Sequence, residues 1–315
     1  MEPESISNFR ERAAMVSTIF LGTTGLRAGW RLLIFLAVLI SCLLGFREVV
    51  VHIPTVNRMV QPLREGRLVV SAALVAEFQF VLSLLIAVSV MSRIEKRSLV
   101  DYGLPARDAF GRHFWQGVAW GLLAVTCVVM LISVAGGFSF GGLALPGRSL
   151  VEYAVGWAIV FLMVGFFEEL LFRGYLQFTL ATAIGFWPSA ILLSIVFGFV
   201  HLGSRGENWM GGATAALFGL FLCLTLRRTG NLWFALGLHA SFVYGETFIY
   251  SVPNSGFPSY GHLLNSTLHG PRWLTGGSVG PEASVMMLAV LTLMFALFGF
   301  FGPRGGLTEL IGGIT

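Results

Sequence analysis

The chain reads as an all-α protein, a polytopic membrane helix bundle with about eight transmembrane helices. Two observations carry that reading. Of the 315 residues, 56% are hydrophobic and only 11% charged, at a mean hydropathy of +0.80, whereas a soluble domain is about a quarter charged. Long apolar runs also recur, at 30–46, 68–91, 114–134, 153–175, 187–203, 209–226, 231–250 and 283–302. Each is close to the roughly 17–25 residues that cross the hydrocarbon layer as a helix.

Taken in order, residues 1–29 form a polar N-terminal lead-in. Its first apolar run begins too late for the hydrophobic core of a cleavable signal peptide. Residues 30–149 supply the N-terminal transmembrane helices. Their spans carry few polar groups, and the exception, Glu77, is read first as a protonated, hydrogen-bonded packing residue near Gln79 and second as a functional mid-membrane carboxylate. Residues 150–250 form a core of different character, because Glu168, Glu169, Arg173, His201, His239 and Glu246 all fall in or near its spans. Residues 251–315 hold a long loop, the last transmembrane helix and a C-terminal tail. Cys42, Cys127 and Cys223 all lie inside spans and read as small buried residues, not as a disulfide framework.

With the N-terminus on the cytosolic side, thirteen of the 20 Lys and Arg residues fall on that side and seven on the other. This bias favours both termini inside an integral, multi-pass protein of a bacterial-type cytoplasmic membrane. It also accounts for the net charge of +4. With no basic stripe and no nucleic-acid motif, a nucleic-acid partner is excluded. The lipid bilayer and a peptide or membrane-protein substrate are the expected partners.

The chemistry concentrates in Phe166-Phe167-Glu168-Glu169-Leu170-Leu171-Phe172-Arg173. Ionised groups inside a membrane span cost several kcal/mol each, by order of magnitude, unless they are paired or face water. A helix turns about 100° per residue, so Glu169 and Arg173, four apart, share a face and pair. Glu168 points about 100° away and is the carboxylate left for reaction. Phe197 and His201 are also four apart, and His239 lies on a later span. A carboxylate and two histidines supply what peptide hydrolysis needs: a base for water, a group to orient it and a group to stabilise the oxyanion. The same donors suit zinc, although the zincin signature His-Glu-x-x-His is absent. A zinc ion held by Glu168, His201 and His239 and a metal-free, glutamate-activated water are equally open.

These residues resemble the CPBP family, the type II CAAX prenyl endopeptidases and their Abi or bacteriocin-processing relatives. That family is marked by Glu-Glu-x-x-x-Arg, then Phe-x-x-x-His, then His-x-x-x-Asn or Asp. The first motif is complete in Glu168, Glu169 and Arg173, and the second in Phe197 and His201. The third is half present in His239, because position 243 is valine. The resemblance implies an intramembrane endopeptidase in which Glu168 activates water, assisted by His201. His239 would then serve the oxyanion or a metal, and Glu169 and Arg173 the framework. Val243 can neither donate a hydrogen bond nor ligate a metal. Glu246, seven residues past His239 and on the same helix face, is the candidate replacement. Two rivals stand beside this reading: a non-catalytic scaffold or immunity factor of the same fold, and a proton-coupled transporter. The second lacks the duplicated halves that many carriers show.

Overall fold

The computed structural model describes residues 20–22, 25–204, 206–258 and 260–302; most of the polar lead-in and the C-terminal tail lie outside them. All eight apolar runs are helical. Among the described residues five helices are long and apolar enough to cross a membrane: α1 (Ala28–His52), α3 (Val70–Glu95), α4 (Arg112–Val134), the continuous rod Gly147–Ile184 and α8 (Trp209–Thr229). The rod consists of α5 (Gly147–Glu168), a π-wound segment Glu169–Leu176 and α6 (Gln177–Ile184). Shorter apolar helices are α7 (Phe186–His201) and α11 (Val285–Phe301). Two short helices occupy stretches that read as loop from sequence: α2 (Pro54–Arg64) and α10 (Arg272–Thr275). Pro54 at the first turn of α2 costs no hydrogen bond, since that N–H has no helical partner in any case.

Helix α9 (Trp233–Tyr244) is the centre of the bundle. Every residue from Trp233 to Phe242 is buried, as expected of a helix that is apolar on all sides and surrounded by protein. It needs only 12 residues plus a widened turn, Gly245–Ile249, because its neighbours are other helices. α4 approaches it almost backbone to backbone. A Cβ on Gly117 would sit 2.1 Å from the Phe234 carbonyl oxygen, and one on Gly237 would sit 2.2 Å from the Phe114 carbonyl oxygen. Small residues at crossings are how helices pack where lipid removes the hydrophobic drive between them. Around this centre α4, α8, α9 and α11 share one apolar core that includes Val125, Phe221, Leu238 and Met294.

Large apolar side chains elsewhere face outwards, among them Leu33, Phe78, Leu123, Val134, Phe199 and Phe300. A soluble monomer rarely exposes so much apolar surface. The chain is an integral membrane protein.

The rod is tied to the N-terminal helices by a polar cluster. Arg31 of α1 pairs with Glu95 at the end of α3, and the Tyr175 hydroxyl donates to Glu95 Oε1 at 2.6 Å. The Tyr175 ring stacks on Phe35 with centroids 4.0 Å apart. These contacts fix the π-wound segment against α1 and α3, and thereby the carboxylates at its start.

Candidate active site

Glu168 ends α5 and Glu169 opens the π-wound segment. Such windings are rare and recur at functional sites. Glu169 and Arg173 pair at 3.1 Å, with side-chain exposures of 0% and 2%. The guanidinium also lies over the Phe197 ring, 4.2 Å from its centroid. Glycine at position 219 of α8 makes room for it, since a Cβ there would come within 2.3 Å of Arg173 Nη2.

Glu169 Oε1 accepts a second contact, from His239 Nδ1 at 2.8 Å. A carboxylate only accepts, so Nδ1 carries the proton and the imidazole turns Nε2 towards Glu168, whose Oε2 is 3.7 Å away. The Glu168 side chain is 22% exposed. The four groups therefore form one line, Arg173–Glu169–His239–Glu168, buried at one end and open at the other.

The open end faces a cavity of about 510 Å³. Its wall includes Glu168, His239, Phe197 and His201, as well as Val243. His201 closes α7, with its Nδ1 2.9 Å from the Phe197 carbonyl oxygen and its ring 4.3 Å from the Phe197 ring. A carbonyl only accepts, so Nδ1 carries a proton and Nε2 is the ring nitrogen not committed to the helix.

Glu246 stands apart. It is fully buried, neither carboxyl oxygen has a hydrogen-bond partner among the described residues, and it is not part of the cavity wall. The expectation that it shares the His239 face assumed an unbroken α-helix. The widened turn Gly245–Ile249 breaks that periodicity at Glu246 itself.

Glu77 also departs from expectation. It lines the same cavity as Glu168, and Gln79 bonds to the Leu43 carbonyl oxygen instead. Further polar residues on the wall, among them Glu207, Asn254 and Glu282, come from outside the long helices, where the local sequence carries no pattern. Burial pushes the Glu282 carboxyl up to about 7, against the opposing effect of His201 nearby. Glu207 is raised as well, chiefly by burial.

Among the described residues no group of three His, Cys, Asp or Glu side chains converges so as to hold a metal ion. His239 already has one nitrogen on Glu169 and the other facing Glu168. The donor set Glu168, His201 and His239 does not fit zinc, one of the two alternatives the sequence left open, and no chemical step below passes through a metal.

Residues 150–244 match the family model of the Type II CAAX prenyl endopeptidases, Rce1-like. Over this stretch the chain is similar to that family. The matched stretch contains Glu168, Glu169, Arg173, His201, His239 and Val243, and leaves the N-terminal helices and the long loop after α9 outside it. Comparison with curated proteins returned no match. The Rce1-like assignment supports a CAAX-type membrane protease acting on a peptide or protein in the membrane.

Proposed function

We propose that the Rce1-like domain is an intramembrane endopeptidase whose water-activating base is Glu168. The observation that carries this is the line Arg173–Glu169–His239–Glu168, with a buried ion pair at its closed end and a partly exposed carboxylate on the cavity wall at the other. Glu168 takes a proton from water, and the hydroxide oxygen bonds to the carbonyl carbon of the scissile peptide. The adduct then expels its nitrogen, which receives the proton from Glu168. His201 orients the water through Nε2. His239, held by Glu169, keeps Nε2 facing Glu168 and accepts a hydrogen bond from that carboxyl once it has taken the proton of the water. Glu169 and Arg173 position His239 and do not touch substrate. The substrate class is a membrane-associated protein or peptide, and the positive-inside bias supports an orientation with both termini in the cytosol.

A non-catalytic scaffold is the competing reading, favoured by Val243, which gives the cavity wall no donor. Cleavage of lipid-anchored fluorogenic peptides by the full chain in vesicles separates the two. Positioned acid–base groups contribute about 10²–10⁴-fold, so Glu168→Gln should lose at least that much in kcat while keeping the thermal midpoint of the wild type. Undiminished cleavage by Glu168→Gln, or no cleavage of a broad peptide library by the wild type, removes the peptidase reading.

A further inference from the structure

Adding water to an amide puts a negative charge on the carbonyl oxygen, and a peptidase site must aim a hydrogen-bond donor at that oxygen. The helical part of the cavity wall is poor in such donors. His201 Nδ1 is turned to the Phe197 carbonyl and His239 Nδ1 to Glu169. The Thr214 hydroxyl is directed at backbone carbonyls, including that of Glu282 at 2.7 Å. Val243 offers nothing.

The loop after α9 does offer a donor. Asn254 and Phe257 exchange backbone hydrogen bonds at 3.2 and 2.9 Å, and the two residues between them, Ser255 and Gly256, lie at φ 44° and 82°. The result is a tight two-residue turn with a non-glycine residue in the left-handed region. Such a conformation costs about 1–3 kcal/mol and persists only where its surroundings over-determine it. Here the turn has three anchors. Gly256 N–H donates to the Val279 carbonyl at 3.0 Å, Ser255 N–H donates to Glu282 Oε1 at 2.6 Å, and Asn254 Nδ2 donates to Thr247 Oγ1 at 3.2 Å. Thr247 is fully buried and lies four residues past Val243, on the widened turn that continues the helix bearing His239. Asn254 shares the cavity wall with Glu168 and His239. A side-chain amide carries two N–H donors, and the bond to Thr247 uses one.

We propose that Asn254 is a catalytic residue, donating its second amide N–H to the carbonyl oxygen of the scissile peptide as that oxygen gains charge. A loop residue thus supplies the donor that α9 lacks at position 243. No bond to Asn254 forms or breaks: the carbonyl electron pair moves onto oxygen as the water oxygen adds, and returns as the C–N bond opens.

The proposal rests on the peptidase reading and is tested beside it. The full chain in phosphatidylcholine–phosphatidylglycerol vesicles is given the lipid-anchored peptide that the wild type cleaves fastest. Removing one oxyanion donor costs about 10²–10³-fold in kcat. Asn254→Ala and Asn254→Leu should show that loss, with KM close to that of the wild type and a thermal midpoint lowered no further than in Thr247→Val, which removes the same anchor. Thr292→Ala, on the exposed face of α11 and outside the cavity wall, should leave kcat unchanged. Thr247→Val, which frees the Asn254 amide but keeps it, should give a partial loss in kcat. Wild-type kcat in both Asn254 variants, while Glu168→Gln is inactive, overturns the role of Asn254 and leaves the peptidase reading standing. An active Glu168→Gln, or a wild type that cleaves no peptide of the library, overturns both.

Discussion

Glycine 219 is the most discriminating place to disturb the charge line without touching any charged residue. It lies inside α8, where alanine is the better helix former by about 1 kcal/mol, so propensity alone predicts that Gly219→Ala stabilises the protein. The structure predicts the opposite. The added methyl would begin 2.3 Å from Arg173 Nη2 and 3.4 Å from Phe197 Cδ1. Ordinary carbon–nitrogen contact needs about 3.5 Å, so the guanidinium must retreat by about 1 Å. It has little freedom to do so, lying between Glu169 at 3.1 Å and the Phe197 ring at 4.2 Å. A retreat of that size stretches the Glu169 contact beyond hydrogen-bond length. Breaking a buried pair outright costs about 3–5 kcal/mol; a partial break, offset by the propensity gain, leaves a net loss of about 1–3 kcal/mol. Glu169 also anchors His239, so misplacement by about 1 Å should lower kcat by about 10²-fold. Thermal unfolding in vesicles, paired with peptide cleavage, reads both effects. Gly45→Ala is the control: it is also helical but has open space where its Cβ would go, and it should be neutral or stabilising. A Gly219→Ala protein as stable and as active as the wild type would refute the claim that this glycine exists to seat Arg173.

Two further outcomes follow from the loops. Burial raises the Glu282 carboxyl from 4.5 to about 7 in the folded chain, so the folded state holds more protons than the unfolded one between those values, and stability falls as pH rises through that window. Glu282→Gln should flatten this fall in a thermal-midpoint series; the groups facing Glu282 are His201, Glu207, Ser255 and Glu246, and Glu207→Gln should leave most of the slope in place. At the start of α8, Asn208 Oδ1 accepts from the Met210 and Gly211 N–H groups at 2.9 and 3.1 Å, so Asn208→Ala should cost about 1 kcal/mol of stability, measured by thermal or denaturant unfolding, with kcat unchanged.

What could be read from the chain divides by range of interaction. The helices were legible because an apolar run is a local signal, and the pairing of Glu169 with Arg173 was legible because four residues of helix bring two side chains together. The position of α9 at the centre was not: Trp233 to Phe242 are apolar whether lipid or protein surrounds them, and only the glycines at 117, 121 and 237 mark the side of closest approach. Glu246 was misplaced because one widened turn cancels a face assignment made by counting in steps of about 100°. Glu77 carried a signal, a carboxylate in mid-span, whose meaning depended on which helix it faced. Asn254 and Glu282 carried none, being brought to the cavity by a turn whose anchors are Thr247, Val279 and Glu282 itself.

The arrangement of charge also explains why two adjacent glutamates are needed. At an effective dielectric of about 20, opposite charges 3.1 Å apart attract by about 5 kcal/mol, while taking the two ions out of water costs several kcal/mol each. The Glu169–Arg173 pair is thus near break-even as a stabiliser, and hydrophobic side chains would fill the same space at no greater cost. Its distinctive property is a fixed acceptor deep in the bundle: Glu169 Oε1 holds Arg173 on one side and His239 on the other. A single carboxylate cannot both hold the imidazole in register and meet a water molecule in the cavity. In the proposed peptidase Glu169, with no exposed surface, takes the first task, and Glu168, one residue earlier and turned towards the opening, is left the second. Moving either carboxylate by one position would exchange a helix face for its neighbour, and the line from Arg173 to the cavity would be lost.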